Sequence, residues 1–220
     1  MQIPNQVPHR HTMDDEDRHA LGDSTVQRLW DSLERTIQAM IYIVEMRDPY
    51  TSGHQNRVTK LAVEIARELD IGDKRLRTLK YAALLHDLGK VFIPAEILSK
   101  PGTLSDVEKS MVQLHPKYGY DVLRTIDLSW DVAEIVYQHH ERLDGSGYPD
   151  HLTGDKLIPE SRILAVADVA EAMVSHRPYR PALPLKKACE ELERNADRLY
   201  DRTIAGTCIK VLNSGRLLLS

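Results

Sequence analysis

The sequence predicts an all-α protein, a compact helical bundle with one glycine-rich loop. Three observations predict it. Apolar residues recur at three- and four-residue spacing along most of the chain. Runs of strand character are nearly absent. The turn formers Gly145, Gly147, Pro149 and Gly154 gather in one stretch, roughly 142–158.

Each helix has its own signal. Val26, Leu29, Leu33, Ile37, Met40, Ile41 and Val44 share a stripe, which gives a first helix over 24–46. Ser24 or Asp23 can cap it. It is long enough to pack on the core or to pair with a second copy. Pro49 ends it. A second helix begins near Gly53 and carries Val58, Leu61, Ala62, Ile65 and Leu69, ending before Gly72. A third runs from Asp73 to His86. Pro94, Pro101 and Gly102 mark a loop, and Ser105 with Glu108 forms a capping-box signature for the next helix. Further helices follow Pro116, start at Ser129, and cover 160–175, 184–198 and 201–213. No repeat is visible at periods of about 20–50 residues.

Composition bounds the function. The chain has 220 residues, of which 42% are hydrophobic and 28% charged, with a single phenylalanine, Phe92. That suits one folded domain with an aliphatic core and excludes a disordered chain, a collagen or a disulfide-built miniprotein. The net charge of −4 offers no bulk basic field for duplex nucleic acid. Residues 1–23 hold five acids against two arginines and read as a flexible acidic tail, His9 and His11 included. Residues 214–220 read as a C-terminal tail. Two cysteines, Cys189 and Cys208, sit in apolar helical patterns and fit a reducing compartment. No run approaches the ~20 apolar residues of a membrane span. The opening residues lack a signal-peptide pattern, so a cytoplasmic location is expected.

The chemistry gathers in a few places. His86-Asp87 ends an apolar helix and leads into Leu88-Gly89-Lys90. A carboxylate has two oxygens, so Asp87 can bridge two metals while His86 binds one. The ordinary reading is a helix-end histidine favoured by the dipole, beside a solvated aspartate. His139-His140-Glu141 ends another helix, three residues before the loop Asp144 to Pro149. Adjacent imidazoles can converge on one ion, or simply form a polar helix end. Asp168 interrupts the apolar run Ile163 to Val169, and a charge there needs a partner or a metal.

Taken together, these segments resemble the HD-GYP family, a branch of the HD metal-dependent phosphohydrolases. The match runs from about Arg47 to Tyr200. It rests on Arg47-Asp48-Pro49-Tyr50-Thr51, Gly53-His54, Arg57-Val58, Leu85 to Lys90, Ile93-Pro94, Lys100-Pro101-Gly102 and His115-Pro116. It continues through His139-His140-Glu141, Gly147-Tyr148-Pro149, Ala165 to Asp168 and Arg177-Pro178-Tyr179-Arg180. The resemblance implies an HD-GYP domain over 47–213 that hydrolyses cyclic di-GMP, with pGpG or GMP as the end product. It implies two divalent transition metals, iron or manganese. His54, His86, Asp87 and Asp168 would hold one. His115, His139 and His140 would hold the other, with Asp87 shared. Two ions ~3.5–4 Å apart lower the pKa of a water that attacks phosphorus in line. Lys90, Tyr148, Arg177 and Arg180 would contact substrate, with Lys90 and Asp87 serving the chemistry.

Other residues take lesser readings. His151 and His176 are read as surface or supporting histidines. Glu141 and Asp144 are read as orienting the loop or the histidines. Tyr118, Tyr120 and Tyr137 are read as packing.

The chain also departs from the family. Some members hold a third metal with a Glu four residues before the first histidine, where this chain has Tyr50, so two metals are expected. The usual Phe-Asp-Ala-Leu after Asp168 is Ala170-Glu171-Ala172-Met173 here, a change in the pocket's fine shape. Tyr200-Asp201-Arg202 stands for Phe-Asp-Pro. Two alternatives accompany the enzyme reading. One is a cyclic dinucleotide receptor that contacts signalling proteins through the Gly147-Tyr148-Pro149 loop, with the 24–46 helix as a homodimer element. The other is an HD phosphohydrolase for another nucleotide, cyclic GMP-AMP included.

Overall fold

The structure, a computed structural model, describes residues 15–48, 52–126, 131–176 and 181–216. Its regular elements are helical, and the described residues form no strand beyond two isolated bridges, Asp144 with Thr153 and Ala196 with Tyr200. The expected all-α class holds. No helix among the described residues is long and apolar enough to cross a membrane.

The helices are α1 (Asp15–Arg47), α2 (His54–Glu68), α3 (Asp73–Leu85), α4 (Ala95–Leu98), α5 (Asp106–Val112) and α6 (His115–Leu123). They continue with α7 (Val132–Gln138), α8 (Pro159–Val174), α9 (Leu185–Arg194) and α10 (Arg202–Asn213). α1 begins ahead of the start expected at Ser24, and the first fourteen residues of the expected tail lie outside the described residues. The chain divides into two compact units, residues 1–38 and 39–220. In the first, Val26, Leu29 and Trp30 are exposed. In the second, the last turns of α1 bury Ile41 and Val44 and leave Tyr42, Ile43 and Met46 in solvent.

Local chemistry sets the helix ends. Ser105 and Glu108 form the expected capping box of α5, each side chain bonded to the other's backbone N–H. Pro159 opens α8, where its missing N–H costs nothing. Asp201 caps α10 by accepting from Thr203 N at 2.9 Å and Ile204 N at 3.2 Å. The loose Tyr200-Asp201-Arg202 match thus keeps a carboxylate with a clear structural task.

The core of the larger unit is built around α8. Ile163, Leu164, Ala165, Val166, Ala167 and Ala170 are all buried, so this helix is apolar nearly all round, as a central helix must be. α2 packs against α3, α8 and α10, and α7 packs against α3, α6 and α8. Of the expected stripe of α2, Val58, Leu61, Ala62 and Ile65 have no exposed surface, while Leu69 follows the helix end and is half-buried. A 3₁₀ turn, Leu88–Phe92, follows α3 and packs on α6.

That last contact needs a glycine. A Cβ on Gly89 would lie 1.9 Å from the His115 carbonyl oxygen and 2.6 Å from Gly119 N. The missing side chain lets the turn after His86-Asp87 press against the start of α6. Gly89→Ala is therefore expected to destabilise the fold by about 1–3 kcal/mol or more. Gly206→Ala is the matched control. Its Cβ would meet nothing within 4 Å, so the helix-interior gain of about 0.5–1 kcal/mol should appear. Urea denaturation of both variants checks this, and an unchanged midpoint for Gly89→Ala would show that the turn has room to retreat.

A candidate dinuclear metal centre

Helix ends deliver the site. His54 opens α2, His86 closes α3 and His139 closes α7. His115 stands at the start of α6, three residues after the end of α5. Asp168 comes from the middle of α8. Two groups of donor atoms result, His54 with His86 and Asp87, and His115 with His139 and His140. The rings form a continuous series. Neighbouring centroids are 5.4 Å apart for His54 and His86, 5.1 Å for His86 and His139, 5.2 Å for His115 and His139, and 4.0 Å for His139 and His140.

Asp87 lies between the groups. Its Oδ2 is 3.6 Å from His86 Nε2 and 3.9 Å from His54 Nε2, while its Oδ1 is 3.5 Å from His115 Nε2. One oxygen faces each half. Asp168 Oδ1 adds a second carboxylate on the first side, 3.2 Å from His54 Nε2 and 3.9 Å from His86 Nε2. Lys90 sets its ammonium 2.9 Å from Asp87 Oδ2 and 3.6 Å from Asp48 Oδ2.

The donors fit metal ions better than they fit one another. His86, His115 and His139 each place Nδ1 at 2.6–2.8 Å from a backbone carbonyl, of Ala83, Val112 and Val136. That bond requires the proton on Nδ1 and leaves Nε2 as a bare lone pair in a neutral ring. Yet His115 Nε2 and His139 Nε2 face each other at 3.3 Å. His86 Nε2 is buried without a hydrogen-bond partner. Lone pairs pointed together inside a protein call for a cation between them.

Protonation agrees. Burial pushes His115 down to about 4 against the pull of Asp87, and burial with neighbouring imidazoles pushes His139 and His140 down as well. These three rings are neutral at pH 7, as metal ligands must be. Burial opposes charge on His54 too. There, hydrogen bonds to Asp168 and Glu171, and their charges, outweigh it and push the imidazole up to about 8. A metal taken up on that side must expel the proton. Burial opposes ionisation of Asp87 and Asp168, but Lys90 and the imidazoles hold Asp87, and His54, His86 and His140 hold Asp168, well below the usual carboxylate range.

The glycine-rich loop is pinned to this centre. A Cβ on Gly147 would come within 2.4 Å of Glu141 Cα and 2.5 Å of the His140 carbonyl oxygen. Tyr148 N donates to the His140 carbonyl at 3.3 Å, and the Tyr148 ring lies 4.7 Å from the His140 ring. Burial, with Asp168 and Asp87 nearby, pushes the Tyr148 phenol up, so it keeps its proton. Glu141 is buried and accepts from Asp150 N at 2.7 Å and Leu152 N at 3.0 Å. Asp144 Oδ1 accepts from Ser146 N and its hydroxyl. Both acids hold the loop, and these bonds do not reach the histidine rings.

Of the expected site residues, His54, His86, Asp87, His115, His139, His140 and Asp168 come together, with Lys90 and Tyr148 beside them. Arg177 and Arg180 lie outside the described residues, as does Tyr50. His151 and His176 are exposed. Tyr118 packs on Phe92 and Tyr120 on Tyr137, as expected of packing residues. Sequence reasoning missed the place of Glu171, which is fully buried and bonded to His54 Nδ1, Arg57 Nε and Ser175 Oγ. The signal was available as a second acid one turn after Asp168 on an apolar helix.

A family model described as the HD domain matches residues 38–204. The chain belongs to the HD-domain family. The segments that carry the HD-GYP resemblance fall inside that span. Among curated relatives, this HD-domain chain is 39% identical over 181 residues to 3'3'-cGAMP-specific phosphodiesterase 3 of Vibrio cholerae, covering 82% of this chain and 39% of the relative. It is 38% identical over 186 residues to the cyclic di-GMP phosphodiesterase response regulator RpfG of Xanthomonas campestris, covering 82% and 47%. It is 36% identical over 183 residues to a cyclic di-GMP phosphodiesterase of Thermotoga maritima, covering 82% and 50%. The chain thus spans at most half the length of these relatives. Among solved structures, Bd1817 of Bdellovibrio bacteriovorus, described as an HDG"Y"P protein, superposes with a TM-score of 0.61 at 22% identity, over 73% of this chain and 51% of that one. The cyclic GMP-AMP phosphodiesterase V-cGAP3 of V. cholerae gives 0.62 at 19%, over 82% and 49%. These two likenesses support the fold.

The shared position of Asp87 makes a prediction. Asp87→Asn should weaken metal uptake in both halves, leaving well under one manganese per chain after loading and desalting. His139→Ala should spare the His54 side and retain about one, from about two in the unaltered chain. Elemental analysis separates these outcomes, and equal losses in the two variants would deny Asp87 its bridging place.

Proposed function

We propose that this chain is a metal-dependent phosphodiesterase that opens cyclic di-GMP, with pGpG or GMP as the end product. The observation that carries the reading is the pair of donor groups that Asp87 touches from both sides, with three imidazoles, His86, His115 and His139, whose ring orientation is fixed by backbone bonds. Similarity to cyclic dinucleotide phosphodiesterases supports the substrate class.

Nitrogen and oxygen donors without thiolate suit iron or manganese. Bound there, the two ions would supply Lewis acidity toward phosphate oxygens and a water ionised at neutral pH. The chain's own residues do the rest. The backbone-locked imidazoles present their lone pairs with no rotation left to lose, so the donor set is organised before substrate arrives. Lys90 places a positive charge beside Asp87, where it offsets negative charge that grows on phosphoryl oxygens. Tyr148 keeps its proton and offers an O–H donor at the edge of the histidine series. Arg177 and Arg180 are proposed as forks for phosphate oxygens.

A second substrate has a specific observation in its favour. A relative at 39% identity is named as specific for 3'3'-cGAMP. Competition therefore belongs in the test. The chain, purified anaerobically and loaded with iron or manganese, is expected to turn cyclic di-GMP into pGpG, followed by chromatography. His86→Ala and Asp87→Ala should lower the rate by at least about a hundredfold with the fold retained by circular dichroism. Faster turnover of cGAMP from an equimolar mixture would reassign the substrate. Tight nucleotide binding without turnover under either metal would make the chain a receptor.

A further inference from the structure

Among the described residues, the histidines with almost no exposed surface, His54, His86, His115 and His139, fall into two kinds. His86, His115 and His139 donate Nδ1–H to the carbonyl three residues back. Those carbonyls, of Ala83, Val112 and Val136, lie in the last turns of α3, α5 and α7. The last four carbonyls of a helix have no partner within it, so each is free to fix a ring. His54 cannot use this device. It is the first residue of α2, so no carbonyl of its own helix precedes it. A side chain from another helix supplies the acceptor instead, Oε2 of Glu171.

Glu171 is itself held. Its Oε1 accepts from Arg57 Nε at 2.6 Å and from Ser175 Oγ at 2.6 Å. Arg57 lies one turn after His54 and also donates to the Ser52 carbonyl at 3.2 Å. A Cβ on Gly53 would sit 2.8 Å from Arg57 Nη1, so the glycine leaves room for this guanidinium. On α8, Asp168 and Glu171 are three residues apart and share a face. They bracket the ring, Asp168 on Nε2 and Glu171 on Nδ1.

We infer that Glu171 is a positioning residue that takes the place of a helix-end carbonyl, fixing the His54 ring so that Nε2 faces Asp87 and Asp168, with Arg57 and Ser175 fixing Glu171 in turn. The inference rests on the two-metal reading. It assigns Gly53, Arg57 and Glu171 to one device that governs occupancy of the His54 half alone.

Calorimetric titration with manganese tests it. In the unaltered chain two binding events are expected. Glu171→Gln keeps the shape but loses the charge, and its amide must turn an N–H toward His54 or Arg57. It should weaken one event by about 10–100-fold and leave the other in place. In a His54→Ala background, Glu171→Gln should cost nothing more, because its route to the metal is gone. Long-range proton–nitrogen correlation spectra of the unaltered chain loaded with diamagnetic zinc should show His54 protonated at Nδ1 and coordinated through Nε2. This measurement needs no variant and decides the matter should Glu171→Gln fail to fold. Unchanged affinities, additive losses, or a His54 protonated at Nε2 would overturn the role of Glu171 while leaving the metal reading intact. An unaltered chain that binds no manganese or zinc would remove the reading beneath it.

Discussion

Asp87 is an ionised carboxylate with 2% of its surface exposed, at the meeting point of α3, the 3₁₀ turn and α6. A lone charge so placed would be driven to neutralise. It stays charged because the Lys90 ammonium lies against Oδ2 and the His54 imidazole, pushed up to about 8, stands 3.9 Å from the same oxygen. The arrangement around it follows from that need. The turn must bring Lys90 back toward Asp87, which Gly89 permits by its contact with the His115 carbonyl. α6 must start where His115 meets Oδ1, and α2 must start where His54 meets Oδ2.

Helix termini are an economical way to build such a centre. A residue at a helix end sits beside carbonyls that lack partners, and an imidazole that takes one is locked in tautomer and direction at once. Three of the rings use this means, so secondary structure itself decides which nitrogen faces inward. The helix lengths matter for the same reason. Moving the end of α3 by one residue would carry His86 about 100° round the axis and away from the others.

The donor residues were legible in the sequence because chemistry and spacing coincide there. His86-Asp87 and His139-His140 stand at the ends of apolar stripes, and Asp168 breaks one. The capping box at Ser105 and the stripe of α2 were legible for the same local reason. What could not be read was long-range. Glu171 meets His54 across 117 positions; an acid on an apolar helix announces that it needs a partner, but not which one. Glu141 stood in the motif, but its task of holding Asp150 and Leu152 depends on how the loop folds back. The start of α1 at Asp15 was missed because a run of acids reads as solvated tail by composition, while acids also suit the positive end of a helix.

The loop and the centre act as one body. Gly147 touches the backbone of His140, Glu141 and Arg142, Tyr148 bonds to the His140 carbonyl and stands by its ring, and Glu141 grips the far side of the loop. A displacement of Gly147-Tyr148-Pro149 must therefore pull on His140, a member of the second donor group. This bears on the choice between hydrolase and adaptor. A protein that gripped the loop would change the position of a metal-ligand candidate, and a change in the donor group would alter the loop's outer face. The same hydrogen bonds join the loop to the donor group, so the hydrolase and adaptor readings draw on one connected structure.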